Sequence, residues 1–157
     1  MDLTHLHPMI VHFPIALLIT GFLSDIAGLA TKREFFSQAG FLMLVLGALG
    51  LVAAYFTGEQ AGDAIIETGA LKQALEIHED SATLTLWAVI IATAFRIFLV
   101  LFKKYAGALK MVSLTLVFLS VLALARTGYY GGELVYKHAA GVQLDLGFGL
   151  DDPETGD

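Results

Sequence analysis

The chain has no cysteine, which excludes disulfides, thiolate metal sites and iron–sulfur ligation. With no Cys-x-x-Cys-His it also excludes covalently attached c-type haem. The redox compartment stays open. Charge is scarce: 15% of the 157 residues are Asp, Glu, Lys or Arg, against about a quarter in soluble domains. The net charge of -6 argues against nucleic acid, which needs basic patches. No His-Glu-x-x-His helix signals a zinc protease, and no nucleophile elbow or phosphate loop signals a hydrolase. What the chain has in plenty is apolar: 57% hydrophobic residues and a mean hydropathy of +0.74. A soluble fold of this size buries only about 70% of its surface and cannot hide so much, so a lipid bilayer is the economical solvent.

Four apolar stretches are each long enough for a hydrocarbon core of about 30 Å, which takes roughly 20 helical residues. They run from Pro8 to Ala30, Phe36 to Phe56, Ser81 to Phe102 and Ala108 to Ala125. A spanning chain must satisfy its backbone internally, so these are helices. The links Thr31–Phe35 and Lys103–Gly107 are short and force antiparallel neighbours. The expected fold is therefore all-α, a four-helix transmembrane bundle over residues 1–146, with a flexible acidic tail at 147–157. Ala70–His78 has helical spacing and reads as a short extramembrane helix between spans two and three. Gly128, Gly131 and Gly132 read as breaks that leave an irregular C-terminal segment.

Orientation follows from Lys and Arg. Lys32, Arg33, Lys103, Lys104 and Lys110 sit in or beside the short links; the other side has Lys72, Arg126 and Lys137 beside thirteen acidic residues. The short links are expected in the cytoplasm, with both termini and the Thr57–Asp80 connection outside, periplasmic in a bacterial inner membrane. MDLTHLH carries no Lys or Arg, so the first span reads as an anchor rather than a cleavable signal.

All five histidines, His5, His7, His12, His78 and His138, fall on that outer side. Imidazole is the commonest metal ligand and a frequent axial ligand of haem. An ionisable group inside a membrane helix marks a functional site by default. His7 precedes Pro8, a favoured first helical residue, and His12 lies about 6 Å beyond Pro8 at 1.5 Å per residue. His5 and His7 also read as wet interfacial residues, His12 and His78 as structural side chains, and His138 as a residue of the tail. Pro14 frees the carbonyl of Ile10 and is expected to bend helix one near His12.

Two strings carry a resemblance. HPMIVHFPIALL within Leu6–Leu18 and GYYGGELVYKHAAGV at Gly128–Val142 together resemble a bacterial family of predicted membrane proteins, catalogued as a domain of unknown function. Its members stand alone or are fused to Rieske-type iron–sulfur domains. The resemblance spans nearly the whole chain and matches at His7, His12, His78 and His138; Ala139 departs from it, standing where the tail motif has Gly. The Rieske fusions point towards electron transfer by association alone.

The leading expectation is a membrane protein binding haem b and passing electrons between a quinol pool and a periplasmic redox protein. Its axial ligands are expected to be His12 and His78, with His7 and His138 as a second pair or as hydrogen-bonding neighbours. The alternatives are a histidine/carboxylate metal site completed from Glu59, Asp63, Glu76, Glu79, Asp80 and Glu133, or a non-catalytic subunit of a larger respiratory or transport complex. For the latter, Gly40, Gly47 and Gly50 on helix two would suit helix–helix contact. Alternating-access transport is disfavoured, since no pair of broken helices is visible. Asp25 and Arg96 stand apart from the histidines. Each lies seven residues before a link lysine, Lys32 or Lys103, hence about 10 Å from the cytoplasmic end. Their shared depth predicts a structural ion pair between helices one and three.

Overall fold

The computed structural model describes residues 6–63 and 69–140; His5 and the 147–157 tail lie outside them. Four helices follow in order: α1 (Leu6–Thr31), α2 (Glu34–Asp63), α3 (Gly69–Leu101) and α4 (Gly107–His138). Each is long and apolar enough to cross a membrane. The shortest has 26 residues, about 39 Å at 1.5 Å per residue, so every helix outruns the hydrocarbon layer. They run antiparallel, α1 along α2 and α3 along α4, and the two hairpins meet more sparsely through α2–α3 and α1–α4.

The distribution of polarity is that of a membrane bundle. Buried positions include Asp25, Ser81, Thr85, Thr93, Arg96, Ser113 and Ser120, while Met9, Phe13, Leu42, Leu49, Trp87, Ile91 and Leu101 are exposed. A soluble protein would reverse that assignment. The core proper is a band of Leu18, Leu44, Leu51, Val89, Ala92, Val117 and Leu124. Glycines set the close approach of α1 to α2. A Cβ on Gly47 would stand 2.9 Å from the Leu18 side chain, and one on Gly50 would stand 3.4 Å from Pro14. The glycine face of α2, expected to suit a partner subunit, is thus occupied by α1 of the same chain. Pro14 is itself fully buried, and α1 continues as one helix through it.

Two sequence expectations about helix ends are corrected. Ala70–His78 is not a separate helix but the first turns of α3, because nothing between Ala70 and Ser81 breaks a helix. Nor do Gly128, Gly131 and Gly132 end α4, which runs on to His138. Each glycine costs a helix about 1 kcal/mol relative to alanine, yet a started helix propagates one bond per residue. Here the last turns are also braced by an ion pair from Lys137 to Glu133 and a hydrogen bond from Tyr129 to Glu133. The true stop is Ala139, in the left-handed conformation at φ 51°. Its N–H donates to Val135 O, the 5→1 bond of an αL cap, and that of Ala140 donates to Leu134 O, each at 3.0 Å. Lys32 and Lys103 just past α1 and α3 take the same left-handed conformation, at φ 57° and 55°.

Candidate functional site

The antiparallel arrangement gathers the start of α1, the end of α2, the start of α3 and the end of α4 at one end of the bundle. His7, His12, His78 and His138 are all there. His7 and His78 are partly buried, each turned onto a different neighbour. His7 Nδ1 lies 3.0 Å from Ala54 O and 3.3 Å from Thr57 Oγ1, both on α2. His78 Nδ1 lies 3.2 Å from Thr127 O on α4. Each ring is seated over a glycine. A Cβ on Gly58 would stand 2.9 Å from His7 Cε1, and one on Gly131 would stand 3.1 Å from His78 Cε1. A larger residue at Gly58 would force the His7 ring to shift, and one at Gly131 would press on the His78 ring.

These hydrogen bonds settle the tautomers. A carbonyl oxygen only accepts, so Nδ1 must carry the proton in both rings. A neutral imidazole protonated at Nδ1 presents its lone pair at Nε2, and an Nδ1–H bonded to a carbonyl is the arrangement that orients metal-ligating histidines. A polar layer surrounds the two rings: Thr85 and Thr127 share a hydrogen bond of 2.9 Å between α3 and α4, and Tyr55 and Thr83 one of 3.1 Å between α2 and α3.

The other two histidines stand differently. His12, which the sequence singled out first, is exposed on α1, and its Nδ1 bonds to Pro8 O one turn earlier in the same helix. That is the carbonyl contact of its structural reading. His138 does not return over the bundle as part of a tail. The unbroken α4 sets it in a crevice of about 200 Å³ beside Ala70, Ala74 and Ile77 of α3. The carboxylates of the alternative metal site are scattered: Glu59, Asp63, Glu76, Glu79 and Asp80 are exposed, and Glu133 is engaged by Tyr129 and Lys137. Among the described residues, no three of His, Asp and Glu group as a metal site.

Sequence reasoning did not single out Thr57, Gly58, Thr127 or Gly131 as seats for the rings. The signal was present as glycine spacing: Gly58 and Gly62 are one turn apart on α2, and Glu79 Oε1 lies 2.8 Å from where a Cβ on Gly62 would stand. Small residues at one-turn intervals mark where a helix admits a neighbour's bulk.

At the opposite end, α1 and α3 bring Asp25 and Arg96 together as a bidentate ion pair. Arg96 Nη1 donates to Oδ2, and Nη2 donates to Oδ1 at 2.8 Å. Both side chains are 1% exposed. Nη2 also donates to Ser37 O of α2 at 2.8 Å, so the guanidinium joins three helices. The Tyr105 ring lies under it, 4.7 Å from centroid to Cζ. Gly40 makes room for the carboxylate, since a Cβ there would come within 2.6 Å of Asp25 Oδ1.

Residues 4–144 match the model of a family described as predicted membrane protein, DUF2231. Neither the curated proteins nor the solved structures yield a match.

Proposed function

The chain belongs to the DUF2231 family of predicted membrane proteins, and on that premise we propose that it is a membrane b-type haem protein whose iron is held by Nε2 of His7 and His78. The observation that carries this reading is the pair of fixed tautomers. Each ring is locked by a carbonyl at Nδ1 and seated over a glycine of the next helix, so each Nε2 lone pair is kept for a ligand. The donor chemistry suits haem better than a bare ion. A porphyrin supplies the equatorial donors and asks the protein for axial ones alone, whereas a protein-only site needs the grouped third and fourth ligands that the scattered carboxylates do not supply. His7 takes the place the sequence gave to His12, whose ring is turned outward.

Haem bound there would supply a one-electron couple. The chain's own part is to fix the rings, and to keep the site at one membrane face. By the distribution of Lys and Arg, that face is the periplasmic side of a bacterial inner membrane, where a quinol and a periplasmic redox protein, or a larger respiratory complex, would be the partners.

The test is absorption spectroscopy of the full chain purified from a haem-replete host. The expected result is a reducible Soret band with a low-spin spectrum. His7→Ala and His78→Ala should each abolish the low-spin form, and His12→Ala should retain it. Purified protein without haem, which also fails to take up added haemin, would end this reading.

A further inference from the structure

A cavity of some 640 Å³ lies at the other end, within the 300–1,000 Å³ range of small-molecule sites. All four helices or their links contribute to it. Its lining holds five basic residues, Lys32, Arg33, Arg96, Lys103 and Lys110, against one acid, Glu34. Arg96 is already neutralised by Asp25, so the excess positive charge belongs to the link residues. The N-termini of α2 and α4 also lie at this end, and their dipoles add to the same sign.

Three further observations give the cavity a purpose. Two buried polar atoms beside it are poorly satisfied: Arg96 Nε makes no hydrogen bond, and Tyr105 Oη has only the Ser37 side chain as a weak neighbour, although buried polar groups ordinarily find a full partner. Lys32 and Lys103 hold left-handed backbone conformations, where a side chain costs about 1–2 kcal/mol and glycine would be free of strain. Both positions keep a cation instead. Finally, the lining includes Leu29 of α1 and Val100 of α3, both exposed to the surroundings of the bundle, at 43% and 38%. A cationic floor with apolar walls at headgroup depth matches an amphiphile, not a free ion. Basic pockets between transmembrane helices bind anionic headgroups in this way.

We propose that this cavity binds the phosphodiester headgroup of an anionic glycerophospholipid, with Lys32, Lys103 and Lys110 around the phosphate and the Tyr105 hydroxyl donating to it. The acyl chains run outward past Leu29 and Val100. The bound lipid would stitch the α1–α2 link to the α3–α4 link, adding to a contact between the hairpins that is sparser than the contact within each. This site is independent of the histidine reading.

The test uses the full chain, delipidated in detergent, with thermal unfolding and native mass spectrometry as readouts. Phosphatidylglycerol, phosphatidylcholine and inorganic phosphate are added separately. Phosphatidylglycerol should raise the unfolding temperature and be retained on the protein; phosphatidylcholine and phosphate should do neither. Lys32→Gln with Lys103→Gln and Lys110→Gln should weaken retention at least about tenfold, taking each cation near the surface as about 1 kcal/mol. Lys104→Gln, exposed and outside the lining, should not. Should the triple variant fail to fold, Tyr105→Phe removes a single hydroxyl and should still weaken retention severalfold. Equal shifts with phosphatidylcholine, or undiminished retention in the variants, would reduce the effect to general lipid solvation and overturn the site. An equal shift with phosphate alone would overturn the lipid assignment.

Discussion

The two ends of the bundle treat buried polarity differently. At the lysine-rich end one charged pair is engaged on both sides, with two bonds from Arg96 to Asp25, a third to Ser37 O and an aromatic ring beneath. At the other end His7 and His78 spend one nitrogen each on a backbone carbonyl, which in the proposed reading leaves the other for haem iron. An ion pair in which each charge answers the other is a structural joint. An imidazole held at Nδ1 alone, and partly buried between helices, is what the proposed haem reading requires of an axial ligand. The same principle, that a buried polar group needs a partner, is met within the protein at one end and, on the proposed reading, by haem at the other.

The largest contrast to test is sidedness, which is all-or-none. The chain has no native cysteine, so Lys104→Cys and Glu59→Cys, both exposed, can be labelled without background. An impermeant thiol reagent on intact cells should modify Glu59→Cys alone. Modification of Lys104→Cys instead would invert the orientation and move the histidine end to the cytoplasm.

Next in size is the ion pair. Removing one partner of a buried pair strands the other charge, at a cost of about 3–5 kcal/mol. Asp25→Asn should therefore lower stability by that order in detergent unfolding, and Asp25→Asn with Arg96→Gln should recover part of it. His78→Ala, which loses one hydrogen bond of its ring, should cost only about 1 kcal/mol of folding while, on the proposed reading, abolishing the low-spin form of the haem. If Asp25→Asn and His78→Ala cost the same stability, the division of labour between the ends is wrong.

The sequence made some of this legible and hid the rest for a physical reason. Lipid accepts long apolar runs, so the four spans were plain, and depth along a helix is arithmetic, so Asp25 and Arg96 could be matched before any coordinates. Facing direction was not legible. In water, an apolar stripe tells which face of a helix turns inward. In lipid, both faces are apolar, and the inward face is marked by small and polar residues such as Gly47, Thr85 and Ser120. His12 therefore drew more weight than His7, though five residues apart they take different directions around α1. Helix ends were misread because glycine was taken as a stop, when Gly131 is where α4 admits the His78 ring.

The smallest expected effect separates the two ends through one backbone feature they share. Ala139 and Lys103 both hold left-handed conformations past a helix C-terminus, at φ 51° and 55°. Glycine at such a position relieves a clash of about 1–2 kcal/mol, offset by its greater freedom in the unfolded chain, for a net gain of about 0.5–1 kcal/mol. Ala139→Gly should therefore stabilise slightly and slow amide exchange at Val135 to His138. Lys103→Gly should bring the same backbone gain, since the conformation is the same, but weaken the response to phosphatidylglycerol severalfold. If strain alone governed these positions, the two variants would behave alike in every assay. A lipid response weakened only in Lys103→Gly means that the strained lysine is retained for its charge, whereas Ala139 is a tolerated helix cap.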